Sequence, residues 1–210
     1  MKDQNFWNKH YSKFKDHEPS AFCRYCIEKE ILSDDSVIEL GCGNGKDGLK
    51  LMQGVAKYQG LDSSEAAILN FQSLISKKGN SFLKCGDFTD FKFSEESLTK
   101  RVAIYSRFSL HSITYAAQNR LFENISKIKQ NNWVCMIEAR SIYDELYGSG
   151  EKVGEHEFIT DHYRRFLDPE VFLKDIIHMF KVKYFEISKG FSVYKEHDPR
   201  VIRVIFESKT

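Results

Sequence analysis

The stretch Val37-Ile38-Glu39-Leu40-Gly41-Cys42-Gly43-Asn44-Gly45 constrains this chain more than any other. Val37 to Leu40 is apolar apart from one acid and reads as a short buried strand of a parallel sheet. Glycines then hold every second position, and helical character begins at Lys46. Without a Cβ, glycine lets the chain turn sharply and lets a ligand lie against the backbone. The N–H groups opening the next helix face whatever sits in that turn. A strand, a glycine turn and a helix in this order predict an α/β fold with a nucleotide-cofactor turn.

Spacing narrows the choice of cofactor. A phosphate loop places its first glycine five residues before Gly-Lys-Ser/Thr. Here Leu40 holds that place, and Asp47 follows Gly45-Lys46. The dinucleotide fingerprint needs glycine at its first, third and sixth places; counted from Gly41, the sixth is Lys46. What remains, Glu39-x-Gly41-x-Gly43-x-Gly45, resembles motif I of the class I S-adenosylmethionine-dependent methyltransferases. The resemblance covers nearly the whole chain. It implies a Rossmann-like, doubly wound sheet of seven mostly parallel strands, the last antiparallel. The pattern of the chain reads the same way, because strands and helices alternate with short connections. Further strands are expected at Val55–Leu61, Ser81–Lys84, Arg101–Tyr105, Trp133–Glu138, Lys183–Tyr194 and Val201–Phe206, the last two as an antiparallel pair at the sheet edge. Helices are expected at Pro19–Leu32, Lys46–Gln53, Glu65–Lys78, 115–130 and from Asp168-Pro169 onward, where a cap precedes an N1 proline.

Asp62 falls at the tip of the second strand, where a carboxylate can accept both hydroxyls of a ribose. The alternative is that Asp62 or Ser63 caps the next helix. The resemblance implies cofactor contacts for Glu39, Gly41, Gly43, Asn44, Gly45, Asp62, Ser63 and Tyr105. It also implies that Asp87 receives the adenine amino group while Phe88 packs on the base; the alternative is a plain Gly86-Asp87 turn. Phe6, Trp7, His10, Tyr11 and Phe14 recur at helical spacing. They form either a surface helix or, as the resemblance implies, a lid over the cofactor, with Trp7 and Tyr11 against it.

Ligands of open α/β sheets bind beyond the carboxyl ends of the strands, so Arg107 and His111 are placed at the reacting atoms. Ala139–Leu167 reads as an irregular loop covering the site. Arg140, His162, Tyr163, Arg164 and Arg165 are its candidate substrate ligands. Arginines rimming one mouth suggest an acidic acceptor; the alternative is surface pairing with Asp144, Glu145 or Asp161. A hydroxyl acceptor would need a base, for which His111 is the candidate. An anionic oxygen would need only arginines to orient it. The strings Tyr105-Ser106-Arg107-Phe108-Ser109-Leu110-His111 and Asp161-His162-Tyr163-Arg164-Arg165-Phe166 are similar to small bacterial methyltransferases encoded with surface-polysaccharide genes. That similarity implies O-methylation of a capsule or lipopolysaccharide precursor, whether phosphorylated, nucleotide-activated or a phosphoramidate. Two other readings remain open: a metal-assisted enzyme using His156, Glu157, Asp161 and His162, or a non-catalytic subunit that binds S-adenosylmethionine.

A chain of 210 residues fits one domain, 1–210, with 1–33 as a helical lid and 139–167 as the substrate cover. With 31 basic and 30 acidic residues, it has no long-range attraction for nucleic acid or an anionic membrane. No apolar run approaches the ~20 residues that span a bilayer, and Met1-Lys2-Asp3-Gln4-Asn5 has no hydrophobic signal core. Five scattered cysteines suggest reduced thiols and a cytoplasmic location. The lone Cys23-x-x-Cys26 lacks further ligands for a metal. The sequence leaves oligomeric state open.

Overall fold

The computed structural model of the protein describes residues 3–13, 16–75, 80–91, 101–128 and 132–209. Expectations for Phe14, Lys77, Lys78 and residues 129–131 lie outside them. The central strands β1 (Ser36–Leu40), β2 (Lys57–Asp62), β4 (Val102–Arg107) and β5 (Trp133–Arg140) are joined in parallel, with β3 (Ser81–Cys85) on the outer side of β2. Beyond β5 the chain reverses: β10 (Val201–Glu207) runs antiparallel to it, and β9 (Lys181–Ser188) closes the edge, giving the order β3-β2-β1-β4-β5-β10-β9. The seven-stranded, mostly parallel sheet agrees with the sequence reading, and β9 and β10 form the antiparallel pair expected at its edge.

β1 is buried along its whole length, and its side chains alternate between two cores. Ile38 and Leu40 face the layer of α5 (Tyr115–Ser126) and α6 (Pro169–Met179), where Leu121, Phe122, Ile125, Phe172 and Ile176 pack. Val37 faces the layer of α2 (Ala21–Lys29), α3 (Gly48–Leu51) and α4 (Glu65–Leu74). Cys23 and Cys26 are both fully buried in that second core, so their spacing is that of a helix face packed on the sheet. α2 begins later than expected, capped by Ser20 rather than opened by Pro19. α3 is a single turn rather than a helix to Gln53. Asp168 caps α6 with Pro169 first in the helix, as its sequence predicts.

Residues 139–167 depart from the loop expected there. Most of the second half is a small antiparallel sheet of β6 (Glu151–Gly154), β7 (Glu157–Ile159) and β8 (Tyr163–Arg165). Tyr147, Phe158 and Phe166 meet edge to face at 5.3–6.0 Å and give it a core of its own. α1 (Gln4–Tyr11) has no buried residue and lies across the top of the domain. No helix among the described residues is long and apolar enough to cross a membrane.

Candidate active site

The carboxyl ends of β1, β2, β4 and β5 open into one cavity of about 370 Å³. Its first wall is the glycine turn. Gly43 has φ +52°, and its N–H donates to Asp62 Oδ2 at 2.8 Å. A Cβ there would stand 2.7 Å from the Tyr11 hydroxyl, so glycine lets α1 close down on the turn. Gly45 answers a different need: at φ +87°, its Cβ would lie 2.4 Å from the Phe71 ring of α4. Gly45 therefore serves packing and does not line the cavity, whereas Gly41, Asn44 and Ser63 do.

Asp62 Oδ1 takes the Ser64 N–H at 2.8 Å, while Ser64 itself caps α4. The Ser63 N–H adds a third backbone donor, and a carboxylate has about four acceptor positions, so the group keeps capacity for a donor from the cavity. Burial pushes the Asp62 carboxyl up, and the backbone N–H groups of Ser64 and Gly43 pull it back. Glu39 also reaches the cavity wall, but its Oε2 accepts from the Tyr58 hydroxyl at 2.5 Å. Burial, then the charge of Asp47, drives the Glu39 carboxyl well above the usual range. Phe88 is buried and forms part of the wall.

Two residues expected at the cofactor, Tyr105 and Asp87, do not line this cavity. The Tyr105 hydroxyl donates to Asp47 Oδ2 at 2.6 Å, and its ring stacks on Phe22, which ties β4 to α2. Asp87 accepts the Thr89 N–H at 2.8 Å and caps the 3-10 turn Phe88–Asp90.

α1 covers this wall through polar anchors. Asn8 Oδ1 accepts from Ser64 Oγ at 2.7 Å, Gln4 Nε2 donates to Ser63 O at 3.0 Å, and Asn70 Nδ2 donates to Tyr11 O at 2.8 Å. At its other flank, Asp3 Oδ2 accepts the Tyr163 N–H at 2.6 Å, and Phe6 stacks on His162 at 4.2 Å. Trp7 and Tyr11 stack at 5.9 Å and both line the cavity. The helix therefore bridges the cofactor wall and the small sheet.

The opposite wall carries Arg107, Phe108, His111, Arg140, His162 and Arg164. Phe108 has φ +54°, a costly conformation for a bulky residue, and it presents its ring to Arg107 at 4.4 Å and to Arg140 at 5.3 Å. His111 is buried, and its Nδ1 has no hydrogen-bond partner among the described residues. Burial, reinforced by the charges of Arg140, His162, Arg164 and Arg165, holds its pKa well below 6.5. His162, pressed against Phe6 and Trp7, is lowered to about 4, first by burial and then by Arg164.

The arginines are not free cations. Arg107 pairs with buried Glu138 at 3.0 Å, Arg140 with Asp144 at 2.7 Å, and Arg164 with Asp161 at 3.0 Å. The Asp144 and Asp161 pairings match the alternative reading of the sequence, whereas Glu145 lies beside His197. Among the described residues the hydrogen bonds of Arg140 and Arg164 run through Nη1 alone, leaving the rest of each guanidinium to a ligand. Tyr163 and Arg165 do not line this cavity: β8 turns them to its other side. The four residues of the metal-assisted reading divide in the same way. Asp161 and His162 line the first cavity while His156 and Glu157 line a second, so they form no common ligand set. Ser109 and Ser112 line the first cavity without having been named as candidate site residues, and His10 lines it from the helix read as a lid. The Ser109 hydroxyl, bonded to Leu40 O at 2.6 Å, sits in a segment that the strand-end rule does point to.

Residues 37–131 match a family model described as methyltransferase domain. No curated protein matches the chain. Among solved structures, an S-adenosylmethionine-dependent methyltransferase of Methanosarcina mazei superposes with a TM-score of 0.71 at 15% identity, covering 87% of this chain and 96% of its own. One from Mesorhizobium loti gives 0.70 at 15% identity, covering 90% and 98%. The glycopeptide N-methyltransferase MtfA, complexed with S-adenosyl-L-homocysteine, gives 0.67 at 15% identity, covering 94% of each chain. Residues 37–131 thus match a methyltransferase-domain model, and the chain as a whole has the Rossmann-like fold of the methyltransferases it superposes on.

Proposed function

We propose that this methyltransferase binds S-adenosylmethionine over the glycine turn and methylates an oxygen of a small acidic acceptor held between Arg140 and Arg164. One observation carries the reading. His111 and the unengaged edges of Arg140 and Arg164 line the same cavity as Gly43 and Asp62.

Bound S-adenosylmethionine supplies an electrophilic methyl group. Asp62, Gly41, Gly43, Asn44 and Ser63 would hold its sugar and backbone, with Phe88 against the base and Trp7 and Tyr11 above. The chain's own task is to fix the nucleophile, since alignment alone can lower a barrier by ~7–11 kcal/mol. His111 stays neutral at ordinary pH and offers a lone pair to an acceptor O–H. Burial does most to keep it neutral, and Arg140 and Arg164, which add to that, are the charges that would grip a carboxylate or phosphate beside it. If the acceptor oxygen is already anionic, as in a phosphate or phosphoramidate, His111 orients it instead. A phosphorylated, nucleotide-activated or phosphoramidate precursor of a surface polysaccharide has this chemistry.

Transfer from methyl-labelled S-adenosylmethionine to paired phosphorylated and uncharged acceptors tests the reading. Arg140→Ala and Arg164→Ala are each expected to raise the acceptor KM by about 10- to 100-fold, the loss of one charged hydrogen bond of about 1.5–3 kcal/mol. Cofactor affinity should hardly change. Uncharged acceptors turning over equally well would remove the acidic acceptor. Tight cofactor binding without transfer to any acceptor would leave a non-catalytic subunit.

A further inference from the structure

We propose that a second cavity of about 330 Å³, on the far side of β8 from the first, binds a small zwitterion: a carboxylate and an ammonium carried on an apolar body, as in an α-amino acid. None of its lining residues is shared with the first cavity. β8 separates the two by alternation, with Arg164 facing one and Arg165 the other.

The polar end of the cavity is built from Gln118 of α5 and Arg165 of β8, both buried. Arg165 Nη2 donates to Gln118 Oε1 at 2.6 Å, and Arg165 Nε donates to Ile113 O at 3.0 Å. The first bond fixes the amide, so Gln118 Nε2 is its remaining donor, and it is buried with no partner among the described residues. Arg165 Nη1 makes no hydrogen bond among the described residues, and the guanidinium stands over the Tyr115 ring at 5.9 Å. An unmade buried donor, and a buried guanidinium whose carboxylates stand off rather than in contact, are both unfavourable. Two N–H edges at one end suit the two oxygens of a carboxylate.

The rest of the cavity selects against a plain anion. Glu155, Glu157, Asp168 and Asp175 also line it, four carboxylates against the one guanidinium. Their field repels a dianion such as phosphate and favours an ammonium at the mouth. Phe166, Leu167, Val171 and Phe172 line it as well, an apolar surface for the body of the ligand.

The test is calorimetric titration of the protein saturated with S-adenosylhomocysteine, using free amino acids, their deaminated and decarboxylated analogues, and inorganic phosphate. An amino acid with an apolar side chain is expected to bind, and each analogue and phosphate at least tenfold more weakly. Val171 is about half exposed, so Val171→Trp should plug the mouth without disturbing a buried bond, abolishing amino-acid binding while S-adenosylhomocysteine affinity holds. Gln118→Met should weaken it at least tenfold. The proposal is overturned if no amino acid binds the wild-type protein, if phosphate or either analogue binds as well, or if Val171→Trp leaves binding unchanged. Because the readout is binding rather than methyl transfer, its failure leaves the first cavity's function untouched.

Discussion

Asp62 shows how closely the fold and the candidate chemistry are joined in one side chain. Its two oxygens accept the Gly43 and Ser64 N–H groups at 2.8 Å each, so it holds the glycine turn against the start of α4. It also lines the cavity, with acceptor capacity to spare. The helix-cap and ribose-ligand readings of this residue therefore do not compete. Asp62→Ala would remove the ribose acceptors and unpair two backbone donors together. At about 1.5–3 kcal/mol for each charge-assisted hydrogen bond, S-adenosylhomocysteine affinity should fall on the order of 100-fold or more by calorimetry. Affinity within a factor of three of wild type would remove the cofactor from this end of the sheet.

Secondary structure decides which neighbouring residues work together, and there the sequence was legible unevenly. The buried central strands and the capped start of α6 could be read because burial on both faces, and a cap followed by proline, leave few alternatives. The small sheet could not. Its β6–β7 hairpin turns at Glu155-His156, where His156 takes φ +58° in place of the usual Asn-Gly or Asp-Gly pair. Read as loop, Arg164 and Arg165 rim one mouth; as strand, they face opposite cavities. The N-terminal helix was legible as amphipathic, yet what fixes it is polar and distant in sequence: Asn8 to Ser64, and Asp3 to Tyr163. Its contact with His162 also makes the lid sensitive to pH. Burial and Arg164 lower His162 to about 4, whereas an open lid returns it toward the ordinary value near 6.5. The closed form binds fewer protons than the open one, so its advantage is complete above about pH 6.5 and is lost as pH falls toward 4. The dissociation rate of S-adenosylhomocysteine by stopped flow should be flat from pH 8 to about 6.5 and rise on acidification. The rise should be smaller in His162→Asn; an unaltered rise in that variant would assign the effect to another group.

Across the whole molecule, one buried carboxylate ties the sheet to the site. Glu138 of β5 is fully buried and takes Arg107 of β4 on Oε1 at 3.0 Å and Arg203 of β10 on Oε2 at 2.6 Å. The two arginines reach onward to the β9–β10 connection: Arg107 Nη2 donates to Ser192 Oγ at 2.6 Å and Arg203 Nη2 to Phe191 O at 2.8 Å. The parallel half of the sheet, its antiparallel edge and the cavity wall at Arg107 thus share one counter-ion. Glu138→Gln keeps the shape and removes the charge, leaving two buried guanidiniums facing each other without compensation. Breaking a buried pair costs about 3–5 kcal/mol, which for a chain of this size lowers Tm by about 6–20 °C. At temperatures where the variant remains folded, Arg107 should lose its fixed orientation, and the acceptor KM should rise while S-adenosylhomocysteine affinity stays near wild type. Calorimetric unfolding and steady-state kinetics measure the two effects separately. A loss of Tm under about 3 °C, corresponding to roughly 1 kcal/mol, would show that the arginines find other partners and that the carboxylate does not couple sheet to site.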